Sequence, residues 1–292
     1  MRKNDSFSGF HPIVNMLYFV LAIGFSIVLM HPVCLGVSLL CGVAYMLLLD
    51  GRKALRFALL FLLPVFLAAA VFNPAFSHAG ATILTYLPGG NPLTLESIRY
   101  GIAAACMLVT VIAWFRCYTA VMTGDKFVYL FGRAIPALSL VLSMALRFVP
   151  RFTAQMRAVA NAQRGVGRDI SQGRPLRRAG HGMKILSVTV TWALENAIET
   201  ADSMKSRGYG LPGRSAFSIF RFDRRDGLAL IFLVLCGAYV ILGAALGGLR
   251  YLYFPVNTGA WTPYSFSIFA VYLAFLAMPL IANGKEAAQW KR

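Results

Sequence analysis

Acidic residues are scarce in this 292-residue chain: there are 11, against 28 lysines and arginines. Only 13% of residues are charged while 58% are hydrophobic, and mean hydropathy is +0.66. A soluble domain carries about a quarter charged residues, so the composition excludes one and predicts an all-α, polytopic membrane protein. The carboxylates needed for a Mg²⁺-dependent membrane transferase are also thin on the ground, since Asp50, Glu96 and Asp125 are isolated in sequence. Cysteine and histidine are equally uninformative as ligands. Cys34, Cys41, Cys106, Cys117 and Cys236 sit singly in apolar runs, which reads as packing, and the four histidines are scattered, so no metal site is indicated. No G-x-x-x-x-G-K-[ST] phosphate loop is present, which excludes ATP hydrolysis by that chemistry. The net charge of +17 is concentrated beside apolar runs, the pattern of membrane orientation and not of nucleic-acid binding.

What is present is a series of apolar runs near the ~20 residues that a helix needs to cross a bilayer. They are Ile13 to Met30, Val33 to Leu49, Phe57 to Phe72, Ile98 to Met122, Leu228 to Leu249 and Ser265 to Ile281. The first leads through His31-Pro32 into the second without a cleavage region, so it reads as a retained span. Basic residues alternate with these runs: Arg2 and Lys3, then Arg52, Lys53 and Arg56, then Lys126 and Arg133, then the tail Lys285, Lys291 and Arg292. The stretch 73–95 carries no charge at all. The positive-inside rule then predicts about six spans with both termini cytoplasmic. The spans hold almost no charge, Arg116 near the inner end of the fourth being the clearest exception, which disfavours a self-sufficient secondary transporter. One further apolar stretch, Ala134 to Leu146, is flanked by cations on both sides and is expected to lie at the inner interface instead of crossing.

The resulting organisation is an N-terminal bundle of about four spans (1–125), a cytoplasmic or interfacial region (126–225) and a C-terminal hairpin (226–292). Between Met144 and Arg225 fifteen cations face five carboxylates, a surplus of ten within the net +17. Two helices fit this region. One is predicted from Pro150 to Arg164, stopped by Gly165 and Gly167, with Phe148, Phe152, Met156 and Val159 on one side and Arg147, Arg151, Arg157, Arg164 and Arg168 on the other. After a Gly- and Arg-rich loop, "GRDISQGRPLRRAGHG", the second is predicted from Met183 to Ser206. Leu186, Val190, Ala193, Ala197 and Met204 share its apolar face, and Glu195, Glu199 and Asp202 its acidic one. Those three carboxylates either form a cation site or pair with Arg147 and Arg151 where the helices cross.

Both helices finish on the same pattern, "RGVG" at Arg164 and "RGYG" at Arg207. One such ending is ordinary helix termination, a cation complementing the dipole and a glycine accepting the left-handed turn. Two endings in one charged insert also suit a pair of exposed guanidinium forks aimed at a partner.

The segments "MALRFVPRFTAQMRAVANAQRG" (144–165) and "LENAIETADSMKSRGYG" (194–210), with "HPIVNML" and "LTLESIRYG" earlier, resemble the transmembrane T components of energy-coupling factor (ECF) transporters, the EcfT and CbiQ-like family. The resemblance implies two long, crossed cytoplasmic coupling helices, each ending in a motif usually written Ala-Arg-Gly. Here the triplets are Gln163-Arg164-Gly165 and Ser206-Arg207-Gly208, both departing from Ala at the first position. It further implies that each tip inserts into one of two ABC-type ATPases, a homo- or heterodimer holding ATP and Mg, and that a membrane S component binds the vitamin or transition-metal ion. On this reading the chain is a non-catalytic subunit in the cell membrane of a prokaryote and binds no cofactor itself.

Overall fold

The computed structural model describes residues 5–77, 80–86, 92–169, 174–211, 220–255, 258–259 and 262–289. It is a helical membrane protein with two small hairpins, and it divides into two compact units. Unit 1 comprises Met1–Thr123 and Phe220–Arg292; unit 2 is Gly124–Ile219.

In unit 1, α1 (Pro12–Val28) and α2 (Pro32–Asp50) start in the same way. His11 and His31 precede a proline, and each imidazole Nδ1 accepts the backbone N–H two residues on, at 3.3 Å. Proline at N1 gives up only an N–H that the first turn would leave unpaired. The predicted third run is part of a longer rod: α3 (Arg52–Phe57), a π turn (Ala58–Leu62) and α4 (Leu63–Phe76). The π turn sits immediately before Pro64, whose missing N–H already costs the ladder a rung. Within the uncharged stretch a short antiparallel hairpin, β1 (Ile83–Tyr86) with β2 (Pro92–Thr94), leads into α5 (Leu95–Val121), capped by Thr94. After residue 219 come α9 (Arg224–Ala245), the pair β3 (Tyr251–Leu252) and β4 (Thr258–Gly259), α10 (Pro263–Leu276) and α11 (Met278–Gln289).

Among the described residues, four helical segments are long and apolar enough to span a bilayer: Pro32–Asp50, Arg52–Phe76, Leu95–Val121 and Arg224–Ala245. Pro263–Leu276 and Met278–Gly284 reach that length and apolarity only as a pair, bent by 50° at the break. The last predicted run is therefore not one straight helix: it breaks at Ala277, and Pro279, the second residue of α11, has no N–H to carry the ladder back across the break. Tyr18 Oη donates to the Leu276 carbonyl at 3.0 Å, supplying a partner at the break. The apolar helix α1 has 17 residues, about a turn fewer than the ~20 of a full span.

The core of unit 1 is aromatic. Phe7, Tyr18, Phe19, Tyr45, Trp114 and Phe275 are all fully buried, with Tyr18 stacked on Phe275 at 5.3 Å and Phe7 edge-on to Tyr18 at 5.0 Å. Phe7 lies before α1, so the amino-terminal segment is itself a plug in the bundle's end. Asp5 locks it there, accepting from Tyr45 Oη at 2.9 Å and from Asn283 Nδ2 at 2.6 Å. Glycines allow the closest approaches: a Cβ on Gly101 would stand 2.9 Å from the Ala70 carbonyl, and one on Gly243 would stand 2.5 Å from Ile268 Cδ1. Small residues at such crossings let backbones pack where lipid gives no hydrophobic drive between helices.

A hydrogen-bonded chain ties three of the helices together deep in the bundle. Trp114 Nε1 donates to Ser38 Oγ at 3.0 Å, Ser38 and Ser26 hydroxyls are 2.7 Å apart, and Ser26 Oγ donates to the Ala22 carbonyl at 2.7 Å. Ser26 has a single proton and uses it on Ala22, so the Ser38 hydroxyl must donate to Ser26. The chain runs one way, from α5 through α2 to α1. Ser38→Ala is expected to leave the buried indole N–H without its partner and to destabilise by about 1–2 kcal/mol. A Ser38→Ala/Trp114→Phe double-mutant cycle, read by unfolding in mixed micelles, is expected to show coupling of about 0.6–1.7 kcal/mol; strict additivity of the two changes would refute the chain.

Asp50 is not isolated in space. It accepts from Arg116 Nη2 at 2.8 Å and Nε at 3.2 Å, and the guanidinium carbon stands 4.1 Å from the Phe57 ring centroid. Arg116, the cation near the inner end of the fourth predicted span, is thus paired, stacked and close to the helix end.

Unit 2 holds three helices: α6 (Gly124–Ala134), α7 (Pro136–Gly165) and α8 (Pro175–Ser206). The expected start at Pro150 is corrected, since α7 begins at Pro136 and runs through Pro150 without ending. Residues 136–146 are its first turns, not a separate interfacial helix, and α7 is not among the helices apolar enough to span. The strongly amphipathic helix is instead α6, which packs on α7: Ser139 Oγ donates to the Val128 carbonyl at 3.1 Å, and Gly132 lies against Ser139. The second helix likewise begins earlier than expected, at Pro175, so the second half of the Gly/Arg stretch is helical. Its segment 170–173 lies outside the described residues, as do Arg2, Lys3, Arg214, Lys291 and Arg292.

Candidate coupling tips and their helix pair

The pairing of α7 with α8 is built on Phe152 and Trp192, edge to face at 5.8 Å and 85°. Along α8 the residues turned inward are Ile185 and Thr189, fully buried, then Trp192, Ala193, Asn196, Thr200 and Met204, half-buried. The predicted stripe was one residue off at three of its five positions: Leu186 and Val190 are 50% and 47% exposed and Ala197 is exposed too, while Ala193 and Met204 are half-buried. With Leu194 and Ile198, Leu186 and Val190 form a second apolar line on the surface of the unit. On α7 the expected side is largely right, with Phe148, Phe152 and Val159 half-buried and Met156 exposed, while Arg147, Arg151, Arg157, Arg164 and Arg168 are all exposed.

The arginine–carboxylate seam expected at the crossing does not form. Arg151 reaches α8, but its guanidinium lies 5.6 Å from the Trp192 ring centroid and its Nη1 donates to Asn196 Oδ1 at 3.3 Å. Glu195, next to Asn196 in sequence, points about 100° further round the helix. It is exposed, as are Glu199, Asp202 and Arg147, and the ion pairs among the described residues are Arg116–Asp50 and Arg164–Asp169. A cation on an indole face together with an amide holds this crossing.

The two tips close by the same hydrogen bonds placed in different register. At the end of α7, Arg168 N–H bonds the Gln163 carbonyl and Gly167 N–H the Arg164 carbonyl, both at 2.9 Å. At the end of α8, Tyr209 N–H bonds the Met204 carbonyl and Gly208 N–H the Lys205 carbonyl, both at 3.0 Å. Each is a Schellman closure, a six-to-one bond around a five-to-two bond. The left-handed residue is Gly167 in the first and Gly208 in the second, both at φ +77°. Arg164 therefore sits in the last full turn, two residues before the cap, whereas Arg207 is the cap itself.

Gly165, next to Arg164, is helical, and nothing lies within 4 Å of where its Cβ would be. Among the described residues, no turn and no neighbour demands glycine there. Arg164 and Arg207 are both exposed; Arg164 Nε donates to Asp169 Oδ1 at 3.1 Å, an ion pair with 59% and 23% side-chain exposure. Gln163 is half-buried and Ser206 exposed, its hydroxyl donating to the Ser203 carbonyl at 2.9 Å.

No protein-family model matches the chain. It is 34% identical over 107 residues to the energy-coupling factor transporter transmembrane protein EcfT of Lactobacillus helveticus, a stretch making up 36% of this chain and 39% of that protein. It is 36% identical over 112 residues to the protein of the same name from Lacticaseibacillus paracasei, covering 38% and 42% of the two chains. Over that stretch the chain is similar to these EcfT proteins. A third relative of that name, from Leuconostoc gelidum, is 32% identical over 104 residues. The match spans about two fifths of the length of each of these EcfT proteins. Among its described residues the chain has more than one helix long and apolar enough to cross a bilayer.

The unequal registers make opposite predictions for one substitution. Gly165→Ala is expected to strengthen the end of α7 by about 0.5–1 kcal/mol, because alanine is the better helix former. Gly208→Ala is expected to cost about 1–2 kcal/mol, the penalty of a left-handed alanine. Amide hydrogen exchange reads this locally: faster exchange at Tyr209 in Gly208→Ala and unchanged or slower exchange at Arg168 in Gly165→Ala. Equal effects at both ends would contradict the assigned caps.

Proposed function

We propose that this chain is the transmembrane coupling subunit of an ECF-type ABC importer, carrying motion from two cytoplasmic ATPases to a membrane S component that binds a vitamin or a transition-metal ion. The observation that carries the reading is the pair of exposed arginines at the closed ends of two long helices that pack on each other. In that role Arg164 and Arg207 would each enter a groove on one ATPase, where a guanidinium can take a carboxylate or carbonyls in a two-pronged hydrogen bond. Gly165 supports it further, since a helical glycine with open space beside it fits a surface that a partner must approach closely. In the assembly, Asp169 would either travel with Arg164 into the groove or yield to a carboxylate of the ATPase.

Charge sorting in unit 1 agrees with a cytoplasmic placement of both termini. The end of the bundle holding Asp5, Asp50 and the start of α9 also carries Arg52, Lys53, Arg56, Arg116, Arg221, Arg224 and Arg225. By the positive-inside rule that end faces the cytoplasm. Energy then comes from the ATPases: their closure on ATP would change the distance between the two tips, and the packed helices would pass that change on.

Removing one guanidinium deletes a charge-assisted hydrogen bond of about 1.5–3 kcal/mol, or roughly a 10- to 100-fold loss of affinity. Arg164→Ala and Arg207→Ala are each expected to weaken co-purification with the ATPases, and the double variant is expected to abolish uptake in reconstituted vesicles. Both side chains are exposed, so expression and thermal midpoint of the isolated chain should stay near wild type. Uptake at the normal rate by the double variant, or a Mg²⁺-dependent transferase activity in the purified chain, would overturn the proposal.

A further inference from the structure

Where the amino-terminal segment meets the start of α9 and the bend between α10 and α11, unit 1 contains a groove of about 730 Å³. Phe10, Phe232, Ala274 and Met278 wall it with hydrocarbon, and Leu228 and Ile281, 71% and 50% exposed, open it to the surface. Among the described residues a single cation, the exposed Arg225, lines it. Its guanidinium carbon lies 4.0 Å from the Phe10 ring centroid and its Nη2 donates to the Ser6 carbonyl at 3.4 Å. Stacking on Phe10 fixes the fork, and one bond to Ser6 uses only one of five N–H donors.

Arg221 and Arg224 stand exposed beside it. The neighbouring carboxylate of Asp226 does not cancel this charge at the surface. It is 5% exposed, turned inward, and accepts the N–H groups of His11 at 3.0 Å and Asp223 at 3.1 Å. Asp223 is the exposed N-cap of α9 and the one carboxylate facing outward in this turn.

The walls call for hydrocarbon and the rim for an anion, and α9 is long and apolar enough to span a bilayer, a placement that sets its first turn at headgroup level. A peptide would bring backbone N–H and C=O groups into a groove whose polar lining is Ser6 and Arg225, and most of those groups would go unpaired. We infer that the groove seats one anionic phospholipid of the leaflet at this end, its phosphate on Arg225 and an acyl chain between α9 and the α10–α11 bend. A zwitterionic lipid offers the same phosphate but brings an ammonium toward Arg221 and Arg224, so net negative charge is selected.

The test uses the full chain in detergent, with phosphatidylglycerol or phosphatidylcholine added as mixed micelles. Phosphatidylglycerol is expected to raise the thermal midpoint and phosphatidylcholine to leave it unchanged. Arg225→Gln, which removes the cation, and Ala274→Phe, which fills the groove from an exposed position, are each expected to reduce that shift by about half or more. Without lipid, both variants should melt near wild type. Equal shifts with the two lipids overturn the inference, and so does a full shift in Ala274→Phe, which would mean charge attraction without a seated chain. A benzophenone crosslinker at position 274 in native membranes should capture phospholipid; capture of a polypeptide instead would also overturn it.

Discussion

A helix end left open exposes carbonyls that lack partners, and a helix that keeps a side chain exposed at its end must close that end without using it. Glycine in the left-handed conformation does this in both α7 and α8. The last carbonyls are satisfied from the backbone alone, so neither arginine is spent on capping its own helix. Every other part of the functional reading rests on that economy. Arg164 is left to pair at the surface with Asp169, and Arg207 stays exposed.

Unit 1 answers a different demand, because in lipid each polar group has to find a partner inside the protein. The one-way chain from Trp114 to the Ala22 carbonyl, the Tyr18 bond to Leu276 and the Arg116–Asp50 pair all meet it. They also connect helices far apart in sequence, so the same bonds that lower the cost of burial fix which helix lies beside which. The Asp5 clamp extends this logic to the amino-terminal segment, whose Phe7 would otherwise be an apolar side chain at the polar end of the bundle.

Much of this was legible in the residues. Composition and charge alternation point to the membrane class, and the repeated Arg-Gly pattern marks the two tips. The errors have physical causes. Pro150 reads as a helix start, yet Phe148 and Phe152 on either side of it are both half-buried and keep the helix going across the missing N–H. Pro175 was passed over because Gly180 and Gly182 follow it, although both are helical here. On α8 two apolar lines run side by side, and a hydropathy pattern cannot say which one meets α7; the Phe152–Trp192 contact decides it in favour of the line through Ile185 and Thr189. The seam failed because complementary charge was allowed to outweigh the 100° that separates Glu195 from Asn196.

The uninterrupted passage of α7 through Pro150 has a mechanical side. The carbonyl of Leu146 loses the N–H that an unbroken ladder would give it, so one rung is missing between the half of the rod beside α6 and the half that ends at Arg164. A beam with one notch still carries a push along its length while yielding most readily to a sideways load at the notch. Thrust applied at the tip would therefore reach the far end of α7, and torque would be taken up near the middle.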